Sequence, residues 1–378
     1  MFFDVITYIV IALLAVTGLF YLALVLRFFF VMGKVRAGNS DVTPPPKVSI
    51  LIAARNEAKG IRTSLDSVMA QQYPGFWEVW VADDRSDDDT PKILADYAQR
   101  YPDKFHVLTI SEIPEGVSPK KNALSRMIEI CNGDILCLTD ADCIVKPTWI
   151  AGIVREFEPG IEMVAGHSYI PTEPGISNPL ICMQAVETMI YRVAGTAGIA
   201  MNLPLTSTGN NLSYRKTFFK KVNGFDKVIK LQSGDDDLLM QKLAAERPWA
   251  MRYCITEETF VTTEGKDTLK GLWEQRKRWA STTIHYTPKI VAVLSTIFLF
   301  FTMICTALLL SPFSSRIFMA LVVTFALKCI GDFVLIVRGL KVFKQPHLLK
   351  WCIPVELIIA PFTVLAVVFG LLGKFKWK

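Results

Sequence analysis

The sequence predicts an α/β domain inserted between membrane-spanning helices, and three observations predict it. Of its 378 residues, 51% are hydrophobic and 20% charged, too apolar for an ordinary soluble enzyme and too charged for a pure membrane bundle. Four apolar runs, Val5 to Leu26, Ile290 to Leu310, Ile317 to Val337 and Ile353 to Gly373, reach the roughly 20 residues a helix needs to cross a bilayer core of about 30 Å. Between about residues 40 and 288 there is no such run; β-branched segments alternate there with segments of helical spacing.

The first apolar run has no basic residue ahead of it and no small-residue cleavage site behind it, so it reads as a retained anchor. Arg27, Lys34 and Arg36 follow it, which by the positive-inside rule puts the N-terminus outside and the middle of the chain in the cytosol. The basic stretch 338–350 then lies inside as well. A fourth crossing puts the basic tail "KFKWK" outside, against the same rule, and Pro354, Glu356 and Pro361 make the last run read as irregular, re-entrant or shallow. Eight cysteines without a CxxC pair read as reduced, buried thiols. The net charge of +6 gathers near the predicted membrane ends, which points to anionic lipid headgroups and not to nucleic acid.

The polar, proline-rich segment 37–46 ends the anchor region 1–36. "KVSILIAARNE" then reads as a buried parallel strand, and Ile61, Leu65 and Val68 recur at helical spacing behind it. "EVWVADD" (78–84) is a second strand, followed by the turn "RSDDDT" and a helix with proline at its first position. "FHVLTI" (105–110), a helix near "KNALSRMIEIC" and the strand "DILCLTDAD" (134–142) continue the alternation. Such an order implies a doubly wound sheet with ligands at the carboxyl ends of its strands.

The acidic residues gather where those strands end. Asp83 stands where a ligand carboxylate is expected to meet a base or ribose, whereas Asp87 to Asp89 read as turn residues. In "LTDADC", Asp140 and Asp142 are two apart, so in an extended segment both face one site; paired carboxylates suit Mg²⁺ or Mn²⁺ shared with a diphosphate. "SGDDDLLMQKL" (233–243) adds a third group, read either as a helix N-cap or as a general base. The four histidines show no ligand spacing, so no zinc site is expected. Lys328 and Asp332, four apart in the third apolar run, are expected to neutralise each other, with Glu356 as a further partner.

In order, "VSILIAARNE", "ADDRSDDDT", "KKNAL", "DAD", "GNNLSYRK", "GDDDL" and "QRKRW" resemble the inverting, membrane-integrated family 2 glycosyltransferases, which include cellulose, chitin and hyaluronan synthases and ceramide glucosyltransferases. The resemblance covers roughly residues 47–285. It implies a GT-A type nucleotide-binding mixed sheet domain, cytosolic and inserted between transmembrane helices, over 47–267. An interfacial helix over 268–288 and a membrane region over 289–378 with two or three helices complete the expected plan.

The resemblance also implies roles. Asp83 binds the nucleotide, with Ala53 and Glu57 lining the uridine site of a UDP-sugar. Lys120 lies near the diphosphate, although proline replaces the usual glycine before it. Asp140 and Asp142 are the metal-binding pair, Asp142 the closer contact. Asp235 and Asp236 stand where the family has Glu-Asp, with Asp236 as the base and Asp237 leaving the register open by one. Gln275, Arg278 and Trp279 match the Q-x-x-R-W signature that contacts the diphosphate and frames the acceptor entrance.

On a helix Gln275, Arg278 and Trp279 share one face, which leaves Trp273, Arg276 and Lys277 for the membrane surface. The expected acceptor is a lipid or glycan hydroxyl. Three readings compete with single transfer to a lipid: processive polysaccharide synthesis, a non-catalytic nucleotide-sugar receptor, and a metal-dependent nucleotidyltransferase. The last gives no reason for a Gln-Arg-Trp cluster beside an apolar run.

Overall fold

The computed structural model describes residues 2–40, 43–173 and 178–373; the basic tail 374–378 lies outside them. The chain divides into two units. One comprises residues 36–171 and 199–264, the other 1–35, 172–198 and 265–376.

The first unit is built on a seven-stranded sheet. Its strands are β1 (Val48–Ala54), β2 (Trp77–Asp84), β3 (Phe105–Ile110), β4 (Ile135–Leu138), β5 (Met163–Ala165), β7 (Leu212–Arg215) and β8 (Met251–Tyr253), in the order β3-β2-β1-β4-β7-β5-β8. Short β6 (Ser168–Tyr169) and β9 (Val261–Thr262) pair beside it. Strands β1 to β4 are mutually parallel, and β7 alone runs antiparallel between β4 and β5. Central β1 is buried along nearly its whole length, as a strand covered on both faces must be. Helices α2 (Ile61–Met69), α3 (Thr90–Arg100), α4 (Pro119–Ile130), α5 (Trp149–Arg155), α7 (Lys216–Lys221) and α8 (Asp237–Glu246) complete the unit. Ile61, Leu65 and Val68 of α2 join a core with Ile50, Val79, Val81 and Trp149.

The second unit is helical: α1 (Phe2–Met32), α6 (Pro179–Ala200, through Gly198), α9 (Leu269–Ala280), α10 (Pro288–Leu310), α11 (Ser315–Val342) and α12 (Cys352–Leu372). Among the described residues four segments, containing α1, α10, α11 and α12, are long and apolar enough to cross a membrane. Leu14, Phe300, Ile304, Ile317 and Ala360 form their shared core, while Val16, Leu19, Leu309 and Leu372 stay exposed. The last helix corrects the irregular segment expected from its prolines. Pro354 sits in the first turn, where its missing N–H leaves no bond broken, and Pro361 is carried inside a continuous helix. All eight cysteines are free thiols and six are buried.

Candidate active site

Because β2, β1 and β4 are parallel, their carboxyl ends share one edge: Ala54 lies opposite Asp83, and Leu51 opposite Leu138. Antiparallel β7 pairs Leu212 with Leu138, so the residues that lead into it, Gly209 to Asn211, arrive at the same edge. One reversed strand thus brings a loop from far along the chain to the ends of the first strands.

At this edge the loops after β1 and β2 interlock. Asn56 and Arg85 both have φ of 55°. The Asn56 amide donates to Ser86 Oγ at 3.0 Å, and the Asp87 amide to Asn56 Oδ1 at 2.7 Å. Asp88 accepts from the Ala58 and Thr90 amides at 3.0 and 2.9 Å, and Asp89 pairs with Lys92, so these aspartates do the turn work expected of them. Asp83 is buried at the end of β2 and accepts the Ser86 amide at 3.3 Å. Ala53 is the one position of β1 that is not fully buried, and Glu57 lies in the adjoining loop, partly exposed.

Two acidic groups, Asp140 and Asp235, meet at Lys120, in the first turn of α4. Its Nζ lies 2.8 Å from Asp140 Oδ1 and 3.1 Å from Asp235 Oδ2. Burial works against the ammonium charge, but Asp140 and Asp235 outweigh it and raise the pKa. Burial likewise opposes ionisation of Asp235, and Lys120 reverses this, holding the carboxyl below its ordinary value. Asp236 goes the other way: burial, then Asp237 and Asp235 beside it, push its carboxyl up to about 7. Two neighbouring carboxyls are thus pushed in opposite directions by their surroundings.

The three consecutive aspartates are told apart by their partners. Asp235 takes Lys120. Asp236 caps α8, accepting the Asp237 amide at 2.7 Å on Oδ1 and the Gly209 amide at 2.7 Å on Oδ2. Asp237 accepts from the Ser207 amide and hydroxyl at 2.6 and 3.1 Å. A Cβ on Gly209 would stand 3.0 Å from Asp235 Oδ2 and 3.4 Å from both Asp236 Oδ2 and Lys120 Nζ, so only glycine leaves this cluster undisturbed. Lys121 does a different job: buried, with its ammonium pulled down to about 8 by that burial, it donates to the carbonyls of Val228, Leu231 and Ser233. Asn211 is a structural tie, bonded to Trp149, His167 and Thr259.

Asp140 and Asp142 come together by a different route from the one expected. Strand β4 ends at Leu138, and the two aspartates lie in the turn beyond, closed by the Cys143 amide on Asp140 O at 3.2 Å. Carboxylate oxygens of both, with the Cys143 sulfur, lie within 4.8 Å of one another. Burial and the two aspartates push the Cys143 thiol well up, so it stays protonated. The available ligands are carboxylate oxygens, a set that fits a hard divalent ion able to take further oxygens from a diphosphate and water.

In the helical unit, Gln275, Arg278 and Trp279 lie on α9, all partly buried. Trp273 of the same helix packs edge-on against Phe362 and Phe369 of α12. Arg276 corrects the sequence reading, which gave it to the membrane surface. It is buried, and its Nε and Nη2 donate to Glu187 Oε1 and Oε2 at 2.9 and 2.8 Å. Nothing in the sequence links Glu187, on α6, to a residue 89 positions away.

A family model described as Glycosyl transferase family 21 matches residues 10–369. The chain is 38% identical over 114 residues to a beta-monoglucosyldiacylglycerol synthase of Trichormus variabilis, a match covering 30% of this chain and 24% of that protein. It is 26% identical over 241 residues to a poly-beta-1,6-N-acetyl-D-glucosamine synthase of Staphylococcus epidermidis, covering 62% and 53%. The chain therefore spans about half or less of these curated relatives. Among solved structures it is similar to a mannosyltransferase from Pyrobaculum calidifontis in complex with GDP-Man and Mn²⁺, with TM-score 0.61, 19% identity and coverage of 93% of this chain and 98% of that one. That likeness is one of fold.

Proposed function

The chain belongs to glycosyl transferase family 21 and folds as a GT-A-like mixed sheet, and from that premise we propose that it is a membrane-bound inverting glycosyltransferase, moving a sugar from a nucleotide-sugar donor to a lipid hydroxyl. The observation that carries the proposal is the cluster at the sheet edge: Lys120 held by Asp140 and Asp235, with Asp236 beside them at a pKa of about 7.

In this reading Asp83, with Ala53 and Glu57, receives the nucleoside, and Lys120 meets the diphosphate. Asp140 and Asp142 would hold Mg²⁺ or Mn²⁺, which when bound would supply positive charge against the leaving diphosphate oxygens. The acceptor hydroxyl attacks the anomeric carbon from the face opposite the departing nucleoside diphosphate, so the centre inverts. Its proton passes to Asp236, whose raised pKa keeps it a competent base near neutrality. Asp235, ionised against Lys120, is kept out of the proton transfer. Gln275, Arg278 and Trp279 take the diphosphate and acceptor roles that the family resemblance implies.

The similarity to a glycolipid synthase and the four helices able to cross a membrane favour a lipid acceptor. Arg27, Lys34, Arg36 and the basic stretch 338–350 favour the sheet unit on the cytosolic face. The longer match to a poly-N-acetylglucosamine synthase supports glycan elongation as the second reading.

The test incubates the detergent-purified full chain with UDP-glucose, UDP-N-acetylglucosamine or GDP-mannose and dioleoylglycerol micelles, with Mn²⁺ or chelator. Metal-dependent release of nucleoside diphosphate together with a glycosylated lipid is expected; a ladder of glycans selects the second reading. Silence with every donor, by a correctly folded protein, overturns the proposal.

A further inference from the structure

Glu187 and Arg276 form a buried, bidentate ion pair inside the helical unit, with side-chain exposures of 7% and 4%. Such a pair is weak evidence for stability, because desolvating two charges offsets their attraction and apolar replacement is often neutral. What it supplies is direction, since a guanidinium gripped by both carboxylate oxygens cannot swing.

The free side of that guanidinium is used. Arg276 Nη1 donates to Gln275 Oε1 at 2.6 Å, and the guanidinium lies 4.2 Å from the centroid of the Trp279 ring. Tyr191, one turn beyond Glu187 on α6, donates its hydroxyl to Glu187 Oε1 at 3.0 Å and sets its ring edge-on to Trp279 at 6.1 Å. One turn before Glu187, Gln184 donates to Lys266 O and accepts the Lys266 amide, both at 2.8 Å, which fixes the chain just before α9 starts. One face of α6 therefore holds both the entry to α9 and two of the three signature side chains on it.

We propose that Glu187 is a positioning residue for transfer: acting through Arg276, it fixes the orientation of the Gln275 and Trp279 side chains on α9. This rests on the catalytic reading of the Gln275, Arg278 and Trp279 signature. Glu187 touches no substrate itself.

The test compares Glu187→Gln, the paired Glu187→Met/Arg276→Met, Tyr191→Phe and, as controls on the signature, Gln275→Ala and Trp279→Ala. Melting temperature, kcat and donor KM are measured with the donor panel, Mn²⁺ and dioleoylglycerol micelles. Glu187→Gln, which leaves Arg276 half paired, is expected to lower both melting temperature and kcat. The paired variant is expected to recover melting temperature while kcat stays about 10- to 100-fold down, the scale of a small misplacement, with donor KM little changed. Wild-type kcat in a folded paired variant overturns the proposal.

If the paired variant fails to fold, Tyr191→Phe decides: unchanged melting with a several-fold lower kcat supports positioning, and unchanged kcat refutes it. Should Gln275→Ala and Trp279→Ala both keep full turnover, the catalytic reading of the signature itself fails, an outcome separate from a failure at Glu187 alone.

Discussion

The backbone amide of Gly209 donates to Asp236 Oδ2 at 2.7 Å, joining the loop ahead of β7 to the residue that caps α8. That bond orients a carboxyl which burial and two acidic neighbours push up to about 7. Asp236→Asn is expected to leave nucleotide binding nearly intact while turnover falls on the order of 10² to 10⁴. Titration of nucleotide affinity alongside turnover checks it; near-normal turnover removes Asp236 from the role of base.

The same group predicts two opposite pH trends. With Asp236 as the proposed base, turnover needs its carboxylate and is expected to rise with pH through about 7 and then level off. Stability runs the other way. A carboxyl whose folded pKa is raised holds its proton better folded than unfolded, so its contribution is full below the ordinary Asp value and is lost as pH rises through about 7. Asp236→Asn is therefore expected to melt above the wild type at pH 8, with a gap that narrows toward pH 5.

Gly209→Ala tests how closely the cluster is packed. The added methyl meets Asp235 Oδ2 at 3.0 Å and two more site atoms at 3.4 Å, so the carboxylates must move by a few tenths of an ångström. Turnover is expected to fall at least about tenfold, as misplaced reacting groups do, with little change in melting temperature. A large drop in melting with preserved turnover contradicts this.

Adjacent Lys120 and Lys121 are expected to fail differently. Lys120→Met leaves Asp140 and Asp235 without their shared cation, so donor affinity and turnover suffer most. Lys121→Met strips one donor from three carbonyls in residues 228–233 and is expected to cost on the order of 3 kcal/mol of stability. Thermal melts and donor titrations on the two variants separate these effects.

Much of this was legible because local pattern and fold agree. "FHVLTI" is β3 residue for residue, and Val48–Ala54 reads as a buried strand because it is one. Asp140 and Asp142 lie close together, but in a turn and not along an extended strand; that turn depends on where β4 stops hydrogen bonding, which spacing does not reveal. Asp235, Asp236 and Asp237 are equivalent in sequence and become distinct only through Lys120, Gly209 and Ser207, partners 27 to 115 residues away. Arg276 was misplaced for the same reason. A cation near an apolar run looks interfacial until a buried glutamate from another helix meets it.

Lys328 on α11 is bonded to Asp332 at 2.8 Å and to Glu356 of α12, and Tyr21 of α1 donates to Asp332 at 2.8 Å. The pairing expected from sequence is present, with Glu356 in it and Tyr21 added. One cation faces two carboxylates, and Glu356 Oε1 has no hydrogen-bond partner among the described residues. Removing Lys328 leaves both acids unneutralised, so Lys328→Met is expected to destabilise the helical unit by about 3 to 5 kcal/mol. Glu356→Gln instead leaves Lys328 and Asp332 matched one to one, and is expected to cost far less than Asp332→Asn, which also disturbs the Tyr21 bond. The order of loss in detergent melts, Lys328→Met, then Asp332→Asn, then Glu356→Gln, checks the argument; Glu356→Gln as the most damaging change refutes it.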